Sequence, residues 1–232
     1  MGTLFYALLA LLYLLLAGGL LYRTPRGPNN ARFLLSLTLL GLAYDALTLA
    51  LGNTLGISDL LLSLNHGRYL AHAALTPFYF VIAALLAERA ELQWAGVNSR
   101  TAAWLVTVAA MLGGMAAFLL LEFTPIEAYG LLRYKAIAGQ NPAWAHSFSV
   151  IVSIFVNVIL IVVGAALWRV HRWPWLCLTA IVMFFASMPP VSFGFLLGSA
   201  GELLLNLALV ASTLRFTAAL AEEHLSSPPE NK

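Results

Sequence analysis

A seven-helix, all-α membrane bundle is the fold class predicted by three features of this sequence. Of its 232 residues, 61% are hydrophobic and only 9% are charged, whereas a soluble domain carries about 25% charged residues. Apolar runs of about 20 residues, the length that crosses a bilayer as helix, recur near 3–22, 33–52, 68–87, 102–121, 148–168, 174–197 and 202–221. The basic residues are also distributed unequally between alternate connections.

The first run, 3–22, has no basic residue before it and is followed by Arg23, Arg26 and Arg32. That order resembles a first transmembrane helix with a cytoplasmic stop more than a cleaved leader. The second run, 33–52, contains Asp45. The third, 68–87, carries Arg68, His72 and Thr76 at i, i+4 and i+8, so the three share a helix face. Pro77 follows and predicts a kink. The fourth run contains Gly113 and Gly114, and the fifth the stripe His146, Ser149, Ser153 and Asn157. The sixth contains Ser187, Pro189, Pro190 and Ser192, and the seventh Glu202, Asn206 and Thr213. Connections 53–67, 88–101 and 122–147 are the long ones. Residues 1–225 form one transmembrane domain, and the polar, proline-containing 226–232 is expected to be a disordered cytoplasmic tail.

Orientation follows from arginine and lysine. Arg23, Arg26, Arg32, Arg89, Arg100, Arg169, Arg172, Arg215 and Lys232 fall on one side, and Arg68, Arg133 and Lys135 on the other. The rule that cytoplasmic loops are basic places the N-terminus outside and the C-terminus in the cytoplasm. Trp94, Trp104, Trp168, Trp173 and Trp175 near the cytoplasmic ends fit an interfacial belt, with Trp144 near the outer face. Ten arginines against two lysines suggest a bacterial protein, and hence its inner (plasma) membrane.

The layout resembles that of the rhodopsins in topology alone. A retinal Schiff base needs a lysine in the seventh helix, and the only lysines are Lys135 and Lys232. The two halves also compare with each other. A shift of 146 residues aligns Tyr22 with Trp168, Arg23 with Arg169 and Arg26 with Arg172. A shift of 134 aligns the third span with the seventh. A 3+1+3 parallel repeat of this kind is similar in plan, though not in motif, to small carriers such as the sugar-transporting SWEET proteins. Recurrence of basic residues at cytoplasmic ends would give the same alignment without duplication.

Polar residues gather at similar depth in the outer halves of several helices. A carboxylate in a membrane helix is costly and usually faces a partner or a watery cavity. Asp45, Tyr44, Arg68, His72, Thr76, Asn157, Glu202 and Asn206 are therefore the candidate binding or proton-relay residues, lining an outward-facing pocket with the 122–147 loop over its mouth. Imidazole titrates near neutral pH, so Asp45 with His72 suits a proton relay. Arg68 would anchor an anionic group. Plainer roles stay open at each position: a structural ion pair for Asp45, aromatic packing for Tyr44 and Tyr79, interfacial placement for Arg68 and Glu202, and helix–helix adhesion for Ser149, Ser153 and Asn157. Gly18–Gly19 and Gly113–Gly114 read as close-packing points, and Glu127, Arg133 and Lys135 as solvated or headgroup-facing charges.

Several classes are excluded or weakened. The net charge of +2 argues against a nucleic-acid partner. The single cysteine, Cys177, excludes an internal disulfide and a CxxC pair and reads as an apolar packing residue. No HExxH, GxSxG, Walker A or dinucleotide fingerprint occurs. A metal site built from His72, His146, Asp45 and Glu202 has acceptable ligand types but no signature spacing. No metal or cofactor is expected, and the reading leans away from catalysis. The leading expectation is binding, and translocation, of a small polar or amphiphilic solute, coupled to protons. An embedded enzyme acting on lipid or isoprenoid substrates and a non-catalytic sensor or assembly partner are the alternatives. The expected partners are the bilayer and a small-molecule or lipid ligand, and a homo-oligomer stays open.

Overall fold

The computed structural model describes residues 2–22, 30–137, 139–187 and 194–226. Its helices are α1 (Gly2–Tyr22), α2 (Asn30–Leu55), α3 (Asp59–Leu75), α4 (Phe78–Arg89), α5 (Val97–Phe118), α6 (Ala143–His171), α7 (Trp175–Ala186) and α8 (Gly194–Ser226). Two strands, β1 (Phe123–Ala128) and β2 (Leu131–Ala136), lie between α5 and α6. Six helical stretches are long and apolar enough to cross a membrane: Gly2–Tyr22, Ala31–Leu55, Asp59–Arg89, Val97–Phe118, Ala143–His171 and Leu196–Thr217. The chain is a helical membrane protein. Of the expected sixth span, 174–197, the described residues give α7, 12 residues ending at Ala186, and the start of α8 at Gly194. Pro189, Pro190 and Ser192 lie outside the described residues, as do Arg23, Arg26 and the tail 227–232.

Turn chemistry explains where the other boundaries fall. The 53–67 connection, expected to be long, is a tight corner. Gly56 takes a left-handed conformation (φ 62°) directly after α2, and its N–H donates to the Gly52 carbonyl at 3.1 Å. Only a residue without a Cβ adopts that end geometry freely. Two residues later Ser58 caps α3, its Oγ accepting from the Leu61 N–H at 3.3 Å. The third span therefore starts at Asp59 rather than Arg68, and Arg68 lies mid-helix. Pro77 breaks the span into α3 and α4, as expected. A proline at 77 cannot donate to the Ala73 carbonyl. That carbonyl faces Gly114 of α5, where a Cβ would sit 3.3 Å from it. Thr107 Oγ1 donates to the Pro77 carbonyl at 3.0 Å.

The 122–147 segment is a β-hairpin in place of the expected loop. Strands β1 and β2 pair antiparallel, with Ala128 opposite Leu131 and Ile126 opposite Arg133. Tyr129 (φ 57°) and Gly130 (φ 70°) close it, the positive-φ pair that matches the twist of a two-residue turn.

The chain folds as two compact units: unit 1 is Met1–Val81 with Ala103–Val156, and unit 2 is Ile82–Ala102 with Asn157–Lys232. In unit 1, α1 turns Tyr6, Leu9, Ala10, Tyr13, Ala17 and Leu20 inward, a helical stripe that packs on α2. Gly18 and Gly19 are not close-packing points among the described residues, where an added Cβ would meet nothing within contact distance. Gly113 and Gly114 are, against Phe148 and Ala73. The hairpin is seated where α1 begins and α2 ends, with Phe123 of β1 against His66 and Tyr69 in the middle of α3. Gly2 abuts the Leu131 side chain, and a Cβ on Gly52 would overlap the Leu132 carbonyl oxygen. Asn53 completes the seat: its Nδ2 donates to the Gly130 carbonyl at 2.6 Å, and its Oδ1 accepts from the Leu132 N–H at 2.7 Å.

In unit 2, α7 packs on α8. Gly164 of α6 lets the Leu176–Cys177 backbone approach closely, and Cys177 is buried as a packing residue. Trp173 Nε1 donates to Ser212 Oγ at 2.9 Å, and the Arg215 guanidinium stacks 4.7 Å from the Trp173 ring centre. Arg100 reaches both oxygens of Glu88, at 3.0 and 3.1 Å.

The Gly52 contact yields a test. Its neighbour is backbone and cannot rotate away, so Gly52→Ala should destabilise the purified protein by about 1–3 kcal/mol. Gly18→Ala, in open space on a helix, should be neutral or slightly stabilising. Thermal unfolding in detergent, comparing the two variants, checks this.

Candidate functional site

Asp45 lies ten residues before the end of α2, about 15 Å along the axis. Its side chain is 17% exposed, and one oxygen, Oδ1, serves two partners on α3. Arg68 Nε lies 3.0 Å away and His72 Nε2 lies 3.1 Å away. Four residues separate Arg68 from His72, so successive turns present both to the same carboxylate. Their exposure differs. The Arg68 side chain is 9% exposed and the His72 side chain 38%. The cluster is closed on its guanidinium side and open on its imidazole side.

Neighbouring residues fix this alignment. Tyr44, adjacent to Asp45, donates from its hydroxyl to the Leu64 carbonyl at 2.9 Å and lies across Gly67, where a Cβ would overlap the phenol oxygen. This clasp sets α3 against α2 one turn before Arg68. Tyr44 is thus a positioning residue. Asn65, fully buried, accepts from Arg68 Nη1 at 3.3 Å and donates to the Leu61 carbonyl at 2.8 Å. The Arg68 guanidinium also lies 4.9 Å from the Tyr69 ring centre.

The hairpin adds a second cation. Leu131 and Arg133 share a strand face, and Leu131 packs on Gly2, so Arg133 turns inward and is buried. The expected solvated charge is therefore an interior one. Burial, and next the like charge of Arg68, pull its guanidinium below the ordinary arginine range, while Tyr69, Tyr6 and Asp45 act in the opposite direction.

The remaining expected site residues are distributed as follows. Thr76 follows α3, and its N–H donates to the His72 carbonyl at 3.1 Å; it marks the Pro77 break directly after the cluster. Asn157, Glu202 and Asn206 belong to unit 2. Asn157 and Asn206 are buried there, and Asn206 Nδ2 donates to the Glu202 carbonyl at 2.9 Å. Ser149 and Ser153 are exposed, with Ser153 Oγ bonded to the Ser149 carbonyl at 2.9 Å. Among the described residues, no three His, Cys, Asp or Glu side chains gather as a metal site would require.

Sequence reading missed Asn65 and Arg133. Asn65 precedes Arg68 by three residues, a spacing that places them on one face. The alternation in LLRYKA around a Tyr-Gly turn could have flagged Arg133 as inward. No known protein-family model matches the chain, and no curated protein matches it in sequence.

Removing one member of a buried pair strands the other, whereas removing both does not. Asp45→Asn and Arg68→Gln should each destabilise the protein by about 3 kcal/mol. The double variant should lose clearly less than the sum. His72→Gln, at the open side, should cost less than either. Unfolding midpoints of the four proteins in one detergent provide the cycle.

Proposed function

We propose that this membrane protein binds a small polar or amphiphilic solute at the Asp45–Arg68–His72 cluster and moves it across the bilayer, with Asp45 and His72 as the protonatable pair. The observation that carries this reading is the shared Asp45 oxygen: one partner is buried, and the other is more than a third exposed. A pair serving adhesion alone gains nothing from an open imidazole at bilayer depth, where polar exposure is costly. A carboxylate–imidazole contact can hold or release one proton near neutral pH, which is what coupling to a gradient requires.

The finer topology belongs to the same proposal. Seven crossings, with the N-terminus outside and the C-terminus in the cytoplasm of a bacterial cell, are supported by the nine-to-three division of basic residues. In that orientation the hairpin end of unit 1 faces outward, and the cluster opens to the outer side. The Pro77 break would supply flexibility within the span.

Water access at His72 tests the reading. In a Cys177→Ser background, single His72→Cys, Tyr129→Cys and Leu35→Cys variants would be treated with a membrane-impermeant maleimide in right-side-out vesicles. The His72→Cys and Tyr129→Cys variants should label, and the Leu35→Cys variant, at a fully buried position, should not. A reactive Tyr129→Cys beside an unreactive His72→Cys would remove the accessible site.

A further inference from the structure

We infer that the end of unit 2 where α6 stops and α7 begins binds the headgroup of an acidic phospholipid through Arg172 and Arg215, with Arg169 beside them. This surface shares no residue with the cluster of unit 1. Three contacts gather the helix ends here. His171, the last residue of α6, has Nε2 2.7 Å from the Ala90 carbonyl oxygen, just beyond α4. Trp173 Nε1 donates to Ser212 Oγ of α8 at 2.9 Å. The Arg215 guanidinium lies 4.7 Å from the Trp173 ring centre and 5.8 Å from that of Phe216. The indole is thus pinned at its N–H and turns a face to the guanidinium three residues further along α8. Arg172 immediately precedes that indole in the chain.

Arg169, Arg172 and Arg215 are all exposed, and among the described residues none of them forms an ion pair. Of the other charges at this end, Glu88 is taken by Arg100, Arg89 is half-buried and Glu91 is exposed. Side chains beyond Thr217 lie outside those described. Arg215 falls in the last turn of the apolar stretch Leu196–Thr217. Its exposed charge therefore sits at headgroup level, where a lipid phosphate is the counter-ion within reach. Exposed Trp168 and Trp175 flank the same corner, as indoles do at the boundary between hydrocarbon and headgroups.

The backbone at Arg172 is an independent sign. It takes a left-handed conformation (φ 56°) and ends α6, its N–H donating to the Trp168 carbonyl at 3.0 Å. Helices usually place glycine in this position, because a side chain there strains the backbone. An arginine kept where glycine would fit at lower cost points to a use for its side chain. A guanidinium donates in pairs to phosphate oxygens. In the proposed orientation this end also faces the cytoplasmic leaflet, which carries the anionic lipid.

Thermal unfolding of the full-length protein would be followed in nanodiscs of phosphatidylcholine, alone or mixed with phosphatidylglycerol. The proteins compared are wild type, Arg172→Gly, Arg215→Gln and Lys135→Gln, the last removing an exposed charge from the hairpin as a control. Phosphatidylglycerol should raise the wild-type and Lys135→Gln midpoints by about 5 °C. That rise should be lost in Arg172→Gly and at least halved in Arg215→Gln. In phosphatidylcholine alone, glycine suits the left-handed stop, so the Arg172→Gly midpoint should be unchanged or higher by up to about 3 °C. Loss of the lipid response without loss of stability is what a purely structural arginine would not give. No rise in wild type, a full rise in Arg172→Gly, or an equal loss in Lys135→Gln overturns the inference. Each of these outcomes leaves the solute reading of unit 1 as it stands, because that reading is tested by labelling at His72→Cys.

Discussion

A carboxylate about 15 Å inside a bilayer-length helix must find a partner, and in unit 1 that requirement organises the structure around it. Asp45 is matched by Arg68 and His72 on the next helix, so α3 must lie against α2 in one register. The Tyr44 hydroxyl and the absence of a side chain at Gly67 set that register. The Gly56 and Ser58 turn makes it reachable, since a longer connection would not hold the two helix ends together so tightly. Beyond the cluster, Pro77 ends α3, and Thr107 of α5 donates to the Pro77 carbonyl.

The hairpin extends the same logic to the end of the unit. It is joined to α2 by backbone contact at Gly52 and by two hydrogen bonds to a single side chain, Asn53. Those contacts lie seven and eight residues beyond Asp45 on the same helix, about two turns away. The segment that brings Arg133 inward is therefore fastened to the helix that carries the carboxylate. A rearrangement of α2 against α3 would therefore disturb both the Asp45 contacts and the seat of the hairpin. The cluster is open at His72 and closed at Arg68, and under the proposed function the open side is where a proton or a ligand would arrive.

Much of this was legible in the sequence, and the gaps have physical causes. Composition and apolar runs identified a helical membrane protein; the cost of a carboxylate in an apolar run marked Asp45, and i, i+4 spacing put Arg68 and His72 on one face. The start of the third span was misread because a search for unbroken apolar residues discarded DLLLSLNHG, although Gly56, Ser58 and Asp59 are a helix stop followed by a helix start. That omission hid Asn65. Charged residues in a connection read as solvated, so Arg133 was placed on the surface; the hairpin's two-residue turn and strand alternation reverse its direction. Gly18 and Gly19 show the converse error, since a glycine pair marks close approach only where a neighbour is present. Placement of Asn157, Glu202 and Asn206 depends on long-range packing that local patterns do not encode.

The measurement that tests this account most directly is a charge exchange. Asp45→Arg alone and Arg68→Asp alone should each give protein that aggregates or unfolds on extraction, because each places like charges side by side. The combined Asp45→Arg, Arg68→Asp protein should recover a monodisperse peak and most of the wild-type unfolding midpoint. If the combined variant is no better than the worse single variant, or if the single variants are as stable as wild type, the Asp45–Arg68 pair is not the interaction on which unit 1 is built.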